Sequence, residues 1–189
     1  MCDISREELT PQVPNGSIDI CIQIFVLSAI PPNLHADIAR KIYNSLRPGG
    51  IFCFRDYGVY DMAQLRFFAR KNPNKMGENF YRRGDGTFAY FFEKGSSLAS
   101  FNSRTIQRHP TVKGNVFFDH CFAILMIFSS HHVEATRAVM ESVGFQTRDL
   151  EYDTRILQNR KRKLKMYRVW LQATFVKPLD ANSNEKGEK

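Results

Sequence analysis

Residues 51–66 read IFCFRDYGVYDMAQLR, and their reading decides the fold. Ile51 opens a short apolar run of β-forming side chains that ends abruptly in charge at Arg55-Asp56. Gly58 marks a tight turn, and a polar segment from Asp61 to Arg66 follows. A buried parallel strand looks like this when it delivers an acid to the carboxyl edge of an open α/β sheet, where ligands collect. On pattern alone, a strand ending in a solvated Arg-Asp pair fits equally well.

Outward from this stretch, the chain supplies the partners of a sheet. Ser17–Ile30 is a nearly unbroken apolar run rich in Ile and Val, which predicts a parallel strand covered on both faces. Pro31-Pro32 stops it and Asn33 is placed to cap a helix. Leu34, Ile38, Ile42 and Leu46 then recur at helical spacing up to Pro48-Gly49-Gly50, and the next strand is Ile51–Arg55. Strand, helix and strand make one right-handed crossover unit. Residues 68–78 are polar and read as a surface loop. Near the C-terminus, a helix carrying Val133, Val139, Met140 and Val143 stops at Gly144. Phe145–Leu157 and Met166–Val176 flank a short loop, which predicts an antiparallel hairpin. The expected fold class is α/β, with a mostly parallel sheet and a C-terminal antiparallel hairpin. Residues 1–16 read as a polar connection, and residues 180–189 as a disordered tail.

The chain has 189 residues, 43% of them hydrophobic, enough for one domain with a proper core. Its net charge is +8, and the excess is unevenly placed. Arg160, Lys161, Arg162, Lys163, Lys165 and Arg168 follow one another with no acid among them. Such a cluster suits a polyanion such as RNA, although a solvated hairpin loop would have the same composition. Cys2, Cys21, Cys53 and Cys121 are scattered without CxxC spacing. They read as reduced thiols, Cys21 and Cys53 buried, rather than a disulfide framework, and no metal site is expected. The polar first eight residues argue against a signal peptide. No membrane association is expected, and the expected location is the cytoplasm, with nucleus or mitochondrion also compatible.

Several motifs carry a family resemblance. They are Arg55-Asp56-Tyr57-Gly58, Tyr60-Asp61, Ala63-Gln64-Leu65-Arg66-Phe67, Asn79-Phe80-Tyr81, Arg83-Gly84-Asp85-Gly86-Thr87 and Tyr90-Phe91-Phe92. Together they resemble the methyltransferase-like enzymes that form 3-methylcytidine in tRNA. The resemblance covers roughly residues 1–92 and 133–179, and it implies the rear half of a class I, Rossmann-like methyltransferase domain. S-adenosylmethionine is the implied cofactor and tRNA the implied partner, joined for some members by an aminoacyl-tRNA synthetase or accessory protein. Cys2-Asp3-Ile4-Ser5 is similar to the family's turn facing the adenosyl group, and Asp3 precedes Asp19 at the family's spacing. Asp3, Ile4, Ile24 and Phe25 are therefore the implied cofactor-binding residues. The glycine-rich turn that lets backbone approach the cofactor would precede Met1, and no G-x-G-x-G occurs here. The chain departs from the family at Arg82, where valine is usual, and at Phe88, where arginine is usual. Residues 95–132 have no counterpart. They read as an inserted helix or strand or, the favoured reading, as translated intron sequence, because the apolar run Val116–Phe128 needs something to cover it.

Methyl transfer to cytosine N3 is an in-line displacement in which positioning does most of the work, and the base must leave its pair. On this reading Asp56 is the catalytic residue, accepting a hydrogen bond from the cytosine amine and stabilising the charge that develops on the base. Arg55, Arg66 and Arg83 would meet phosphate, Tyr57 and Tyr81 would stack on bases, and Arg160, Lys161, Arg162 and Lys163 would follow the RNA backbone. Asp61 is expected to cap a helix. Two other readings stay open: a non-catalytic tRNA-binding or regulatory remnant, and a methyltransferase acting on a small molecule.

Overall fold

A computed structural model describes residues 3–9, 11–70, 74–94, 136–159 and 164–179. The elements in chain order are β1 (Ile18–Ile24), α1 (His35–Ser45), β2 (Leu46–Tyr57), α2 (Met62–Phe68), β3 (Lys75–Gly77), β4 (Phe80–Arg82), β5 (Phe88–Tyr90), α3 (Thr136–Val143), β6 (Gln146–Asn159) and β7 (Leu164–Val176). The expected insert at 95–132, the loop Arg160–Lys163 and the tail from residue 180 lie outside the described residues.

β2 is the centre of a four-stranded sheet of order β1-β2-β7-β6. It runs parallel to β1, as the crossover reading requires, and antiparallel to β7, which forms the C-terminal hairpin with β6. Among the described residues the sheet is therefore mixed rather than mostly parallel. The pleat sends alternate side chains of β2 to opposite faces, and Phe52, Phe54 and Asp56 are buried while Ile51, Cys53, Arg55 and Tyr57 keep part of their surface. Across the ladder Phe52 meets Phe175, Phe54 meets Ala173 and Asp56 meets Leu171, so large and small side chains interlock. α1 brings Ile38, Ala39 and Ile42 to this same core and α3 brings Met140. A second core holds Val59, Phe67, Tyr81, Ala89 and Phe91 around the small antiparallel sheet β3-β4-β5.

Several sequence expectations shift. The first strand is shorter than Ser17–Ile30: it stops at Ile24, and Leu27–Ala29 is a 3-10 turn. It is also covered on one face only among the described residues, leaving Ile20, Ile22 and Ile24 more than half exposed at 55%, 66% and 52%. β1 pairs with β2 alone there, so its other edge is open. Asn33 lies in a 3-10 turn, Pro32–Leu34, and α1 follows Leu34 with no side-chain cap. Pro48-Gly49-Gly50 lies inside β2, where Gly49 takes a left-handed φ of 76° and Gly50 faces the Arg47 carbonyl too closely for any Cβ. The polar segment after Asp61 is helical, α2 running on to Phe68, and β3 forms within the expected loop 68–78. Cys21 and Cys53 are free and half-buried.

Two tethers close the covered face. Glu93 accepts from both the backbone N–H (3.2 Å) and the hydroxyl (2.9 Å) of Thr136, which brings the two ends of the span between them together. His35, almost wholly buried, places Nε2 3.0 Å from the carbonyls of both Leu27 and Ile30. Both partners are acceptors, so this nitrogen carries a proton and donates to them. Its ring stacks on Phe92 at 5.4 Å and meets Tyr90 edge-on at 5.1 Å.

Gly58 does not make a turn by virtue of a left-handed backbone. It is needed because a Cβ there would lie 3.0 Å from Tyr152 Cε1 and 3.1 Å from Val169 Cγ1. Gly58→Ala is expected to cost about 1–3 kcal/mol through overpacking. Gly84→Ala, where a Cβ meets nothing within 4 Å, should stay within about 0.5 kcal/mol of wild type in the same urea titration. Burial holds the His35 pKa below its ordinary 6.5, against the raising effect of its two carbonyl bonds. A depressed folded pKa gives stability that is present above the unfolded value and lost as the pH falls through the folded one. Stability should therefore decline on acidification below about pH 6.5, by at most about 1.4 kcal/mol per pH unit from this group. The urea midpoint of His35→Gln, followed from pH 7.5 to 5.5, should decline less steeply than that of the wild type; parallel curves would exclude His35 as the source.

Candidate functional site

The carboxyl ends of β1 and β2 carry the site. Just beyond β1, the Phe25 N–H donates to the Arg55 carbonyl at 2.9 Å, continuing the parallel ladder one step. Phe25 does so with a left-handed φ of 54°, which a bulky side chain adopts only when its surroundings impose it. Its ring lies 5.0 Å from Tyr57 and 6.0 Å from Trp170. The chain then turns, and the Ser28 N–H donates to Asp56 Oδ2 at 2.9 Å.

Asp56 stands at the carboxyl end of β2, as the sequence predicts, but it has no exposed surface. Its Oδ1 accepts the N–H of Tyr57 at 2.8 Å while Oδ2 holds Ser28. Burial pushes its pKa up, and the backbone donors around it pull the other way. Direct contact with a cytosine amine is therefore not offered by this arrangement. The carboxylate fixes the exit of β1 against the end of β2.

The accessible groups lie on the opposite face of the same strand ends. Arg55 donates through Nη1 to Gln172 at 2.5 Å and through Nη2 to Asp153 at 2.6 Å, with its guanidinium 4.6 Å over the Trp170 ring. Arg155 holds both oxygens of Asp153 through Nε, at 3.1 and 3.0 Å, and lies 5.9 Å from the same ring. Arg168 binds the buried Asp61 at 2.8 Å and sits 5.3 Å from Tyr57 and 5.7 Å from Trp170. Arg83 lies 6.0 Å over Tyr57, tied by Nη1 to the Phe88 carbonyl at 2.7 Å. Four guanidiniums thus converge on two aromatic rings, facing two carboxylates.

The structure brings together Phe25, Arg55, Tyr57 and Arg83 from the expected set and separates others. Tyr81 is wholly buried and stacks on Phe67 at 4.6 Å, which makes it a core residue and not a platform for a base. Arg66 is exposed on α2, with Met62 Sδ of its own helix 3.9 Å away. Asp3 forms a local turn, accepting the N–H (3.0 Å) and hydroxyl (2.6 Å) of Ser5, and these bonds hold its pKa low. The Ile4 carbonyl accepts from Lys41 of α1 at 3.3 Å. Phe88, where the family has arginine, packs on Phe80 at 5.1 Å. Trp170, Arg155 and Asp153 were not foreseen, and Arg168 was read only as a member of the basic cluster. The signal was present in the hairpin, whose register pairs Asp153 with Trp170 and Arg155 with Arg168.

Comparison with known proteins bears out the family resemblance. The chain is 40% identical over 170 residues to the tRNA N(3)-methylcytidine methyltransferase Mettl2 of Drosophila melanogaster, covering 89% of this chain and 39% of that protein. It is 34% identical over 185 residues to the tRNA N(3)-cytidine methyltransferase METTL2 of Xenopus tropicalis, covering 98% of this chain and 42% of that one. A third relative, O-methyltransferase 3 of Dictyostelium discoideum, is 37% identical over 190 residues, covering 100% of this chain and 34% of its own length. The chain therefore spans roughly a third to two-fifths of these curated relatives. No protein-family model matches it. Among solved structures, an S-adenosylmethionine-dependent methyltransferase from Methanosarcina mazei superposes with a TM-score of 0.52 at 13% identity, covering 95% of this chain and 66% of that one. The fold is that of this methyltransferase class.

Asp61 does what was expected and more. It caps α2 through the Ala63 N–H at 2.8 Å, and its second oxygen takes the Val169 N–H at 2.9 Å together with Arg168. Asp61→Ala should destabilise by at least about 2 kcal/mol, adding a lost cap to a guanidinium left without its partner. Asp61→Asn keeps a capping oxygen and should recover part of the loss. Equal denaturation midpoints for the two variants would show that the charge pairing with Arg168 matters and the cap does not.

Proposed function

We propose that this chain is the rear part of an S-adenosylmethionine-dependent methyltransferase domain that forms 3-methylcytidine in tRNA. The observation that carries the reading is the meeting at Phe25: an apolar residue at the end of β1 whose ring touches both Tyr57 and Trp170 inside the arginine cluster. One side of that contact suits a cofactor and the other suits RNA. Ile24 and Phe25, 52% and 38% exposed, offer an apolar surface to an adenine ring, and the exposed carboxylate of Asp3 can accept from the adenosyl group. These residues fit the cofactor, which when bound supplies an electrophilic methyl group.

The chain's own contribution is placement. Cytosine N3 lies on the pairing edge, so the base must be unpaired to reach it. Tyr57 supplies a stacking face, and Arg55 and Arg83 supply charge for the flanking phosphates. Asp56 acts through position: by holding Ser28 it fixes the strap that carries Phe25 against Tyr57. The basic run Arg160, Lys161, Arg162 and Lys163, which lies outside the described residues, supplies further charge for RNA, and an aminoacyl-tRNA synthetase or accessory protein would act by presenting that RNA.

The test is single-turnover methylation of a tRNA by a chimera in which this chain replaces the matching part of the Drosophila relative. The labelled product should be 3-methylcytidine. Asp56→Asn, which puts an amide where a backbone N–H now donates, should slow transfer by about tenfold to a hundredfold with cofactor affinity changed only a few-fold. A ribose-methylated or other O-methylated product, or normal turnover in the variant, would overturn the respective part of this reading.

A further inference from the structure

Beside the groups assigned above lies a ring that the proposed chemistry leaves unused. Trp170 is directly opposite Tyr57 in the β2–β7 ladder, one strand further from β1. Its indole Nε1 is buried without a hydrogen-bond partner, whereas a structural tryptophan ordinarily finds one. Its ring nonetheless has three guanidiniums within 5.9 Å, those of Arg55, Arg155 and Arg168. Asp153 and Asp61 offset only part of that charge, since Arg83 adds a fourth cation on the Tyr57 side. An uncompensated set of planar cations around aromatic rings matches the alternation of phosphate and base in an unpaired nucleic acid strand. Neighbouring strands lie about 4.8 Å apart and stacked nucleotides rise about 3.4 Å, so an unpaired strand extends slightly to set successive bases on rings of adjacent strands.

We propose that Trp170 is a stacking site for the nucleotide that flanks the methylated base, with Arg155 and Arg168 taking its phosphate. The proposal rests on the RNA-methylation reading for its choice of ligand. Arg155 is the most exposed of the three cations over the indole, its side chain 58% accessible while it keeps Asp153. It can therefore swing to a phosphate without breaking the fold. Arg55 and Arg168, held by Gln172, Asp153 and Asp61, keep the platform rigid.

The molecule supplies its own reporter, because Trp170 is the sole tryptophan of the chain. The experiment titrates the 189-residue protein with an eight-nucleotide oligocytidylate and with an abasic oligomer of equal charge. Saturable quenching of tryptophan emission by the first and none by the second is the expected result. Anisotropy of a labelled oligocytidylate should show Trp170→Ala weakening binding about tenfold and Trp170→Phe by less than about threefold. Arg155→Gln should reduce the salt slope by about 0.7, the value for one phosphate contact on a single strand. Unquenched binding that survives Trp170→Ala would overturn the site while leaving the RNA reading standing, with the strand bound elsewhere. Equal quenching by the abasic oligomer, or no binding at low salt, would also overturn it, and the methylation assay with the chimera judges the broader reading independently.

Discussion

A carboxylate without solvent holds the two strand ends in place. Asp56 follows a run of apolar residues and faces the same way as Phe52 and Phe54, so folding carries its charge into the core. Removing a carboxylate from water is costly unless donors replace the water. Here the donors are backbone N–H groups, one from its own neighbour and one from Ser28 across the sheet end. The satisfied carboxylate thereby becomes a distance constraint. His35 applies the same constraint from below, on the carbonyls that flank Ser28. Between them the strap after β1 has one position, and Phe25 must take up a left-handed backbone to enter it. The strain at Phe25 and the contact of its ring with Tyr57 and Trp170 have a single origin.

Asp61 repeats the device a turn later for a different purpose. Its two oxygens serve a helix start, a strand N–H and a guanidinium, so one side chain joins α2 to β7. The neighbouring acids of one short motif are thus both structural in their contacts, and the face turned to solvent is left to Arg55 and Tyr57. Alternation along β2 makes this division: from Ile51 to Tyr57 the odd-numbered residues keep an accessible face and the even-numbered ones are buried in the scaffold.

The crossover, the hairpin and the α3 helix that stops at Gly144 were legible in the sequence. Each rests on a periodic pattern that one stretch of chain expresses by itself. What could not be read locally was which face of β2 is covered. That depends on α1 and α3 arriving on one side, and without it Asp56 reads as readily toward a ligand as toward the core. The same gap explains β1, whose unbroken apolar run suggests cover on both faces, while Ile20, Ile22 and Ile24 stand open among the described residues. Trp170 reads from the sequence only as one residue of the predicted strand Met166–Val176. Its partners come from Arg55, Arg155 and Arg168, and no spacing within a single segment announces a meeting of three.

The pair of hydrogen bonds from Thr136 to the Glu93 carbonyl has a consequence for how this chain tolerates change. That carbonyl fixes the points at which the described chain breaks off and resumes. The entropy of closing a flexible loop grows with the logarithm of its length, and doubling the length costs only about 0.6 kcal/mol. An ancestor could therefore acquire, lose or exchange tens of residues there with little penalty to the sheet. For the protein engineer the tethered carbonyl is a natural position at which to splice in a reporter domain.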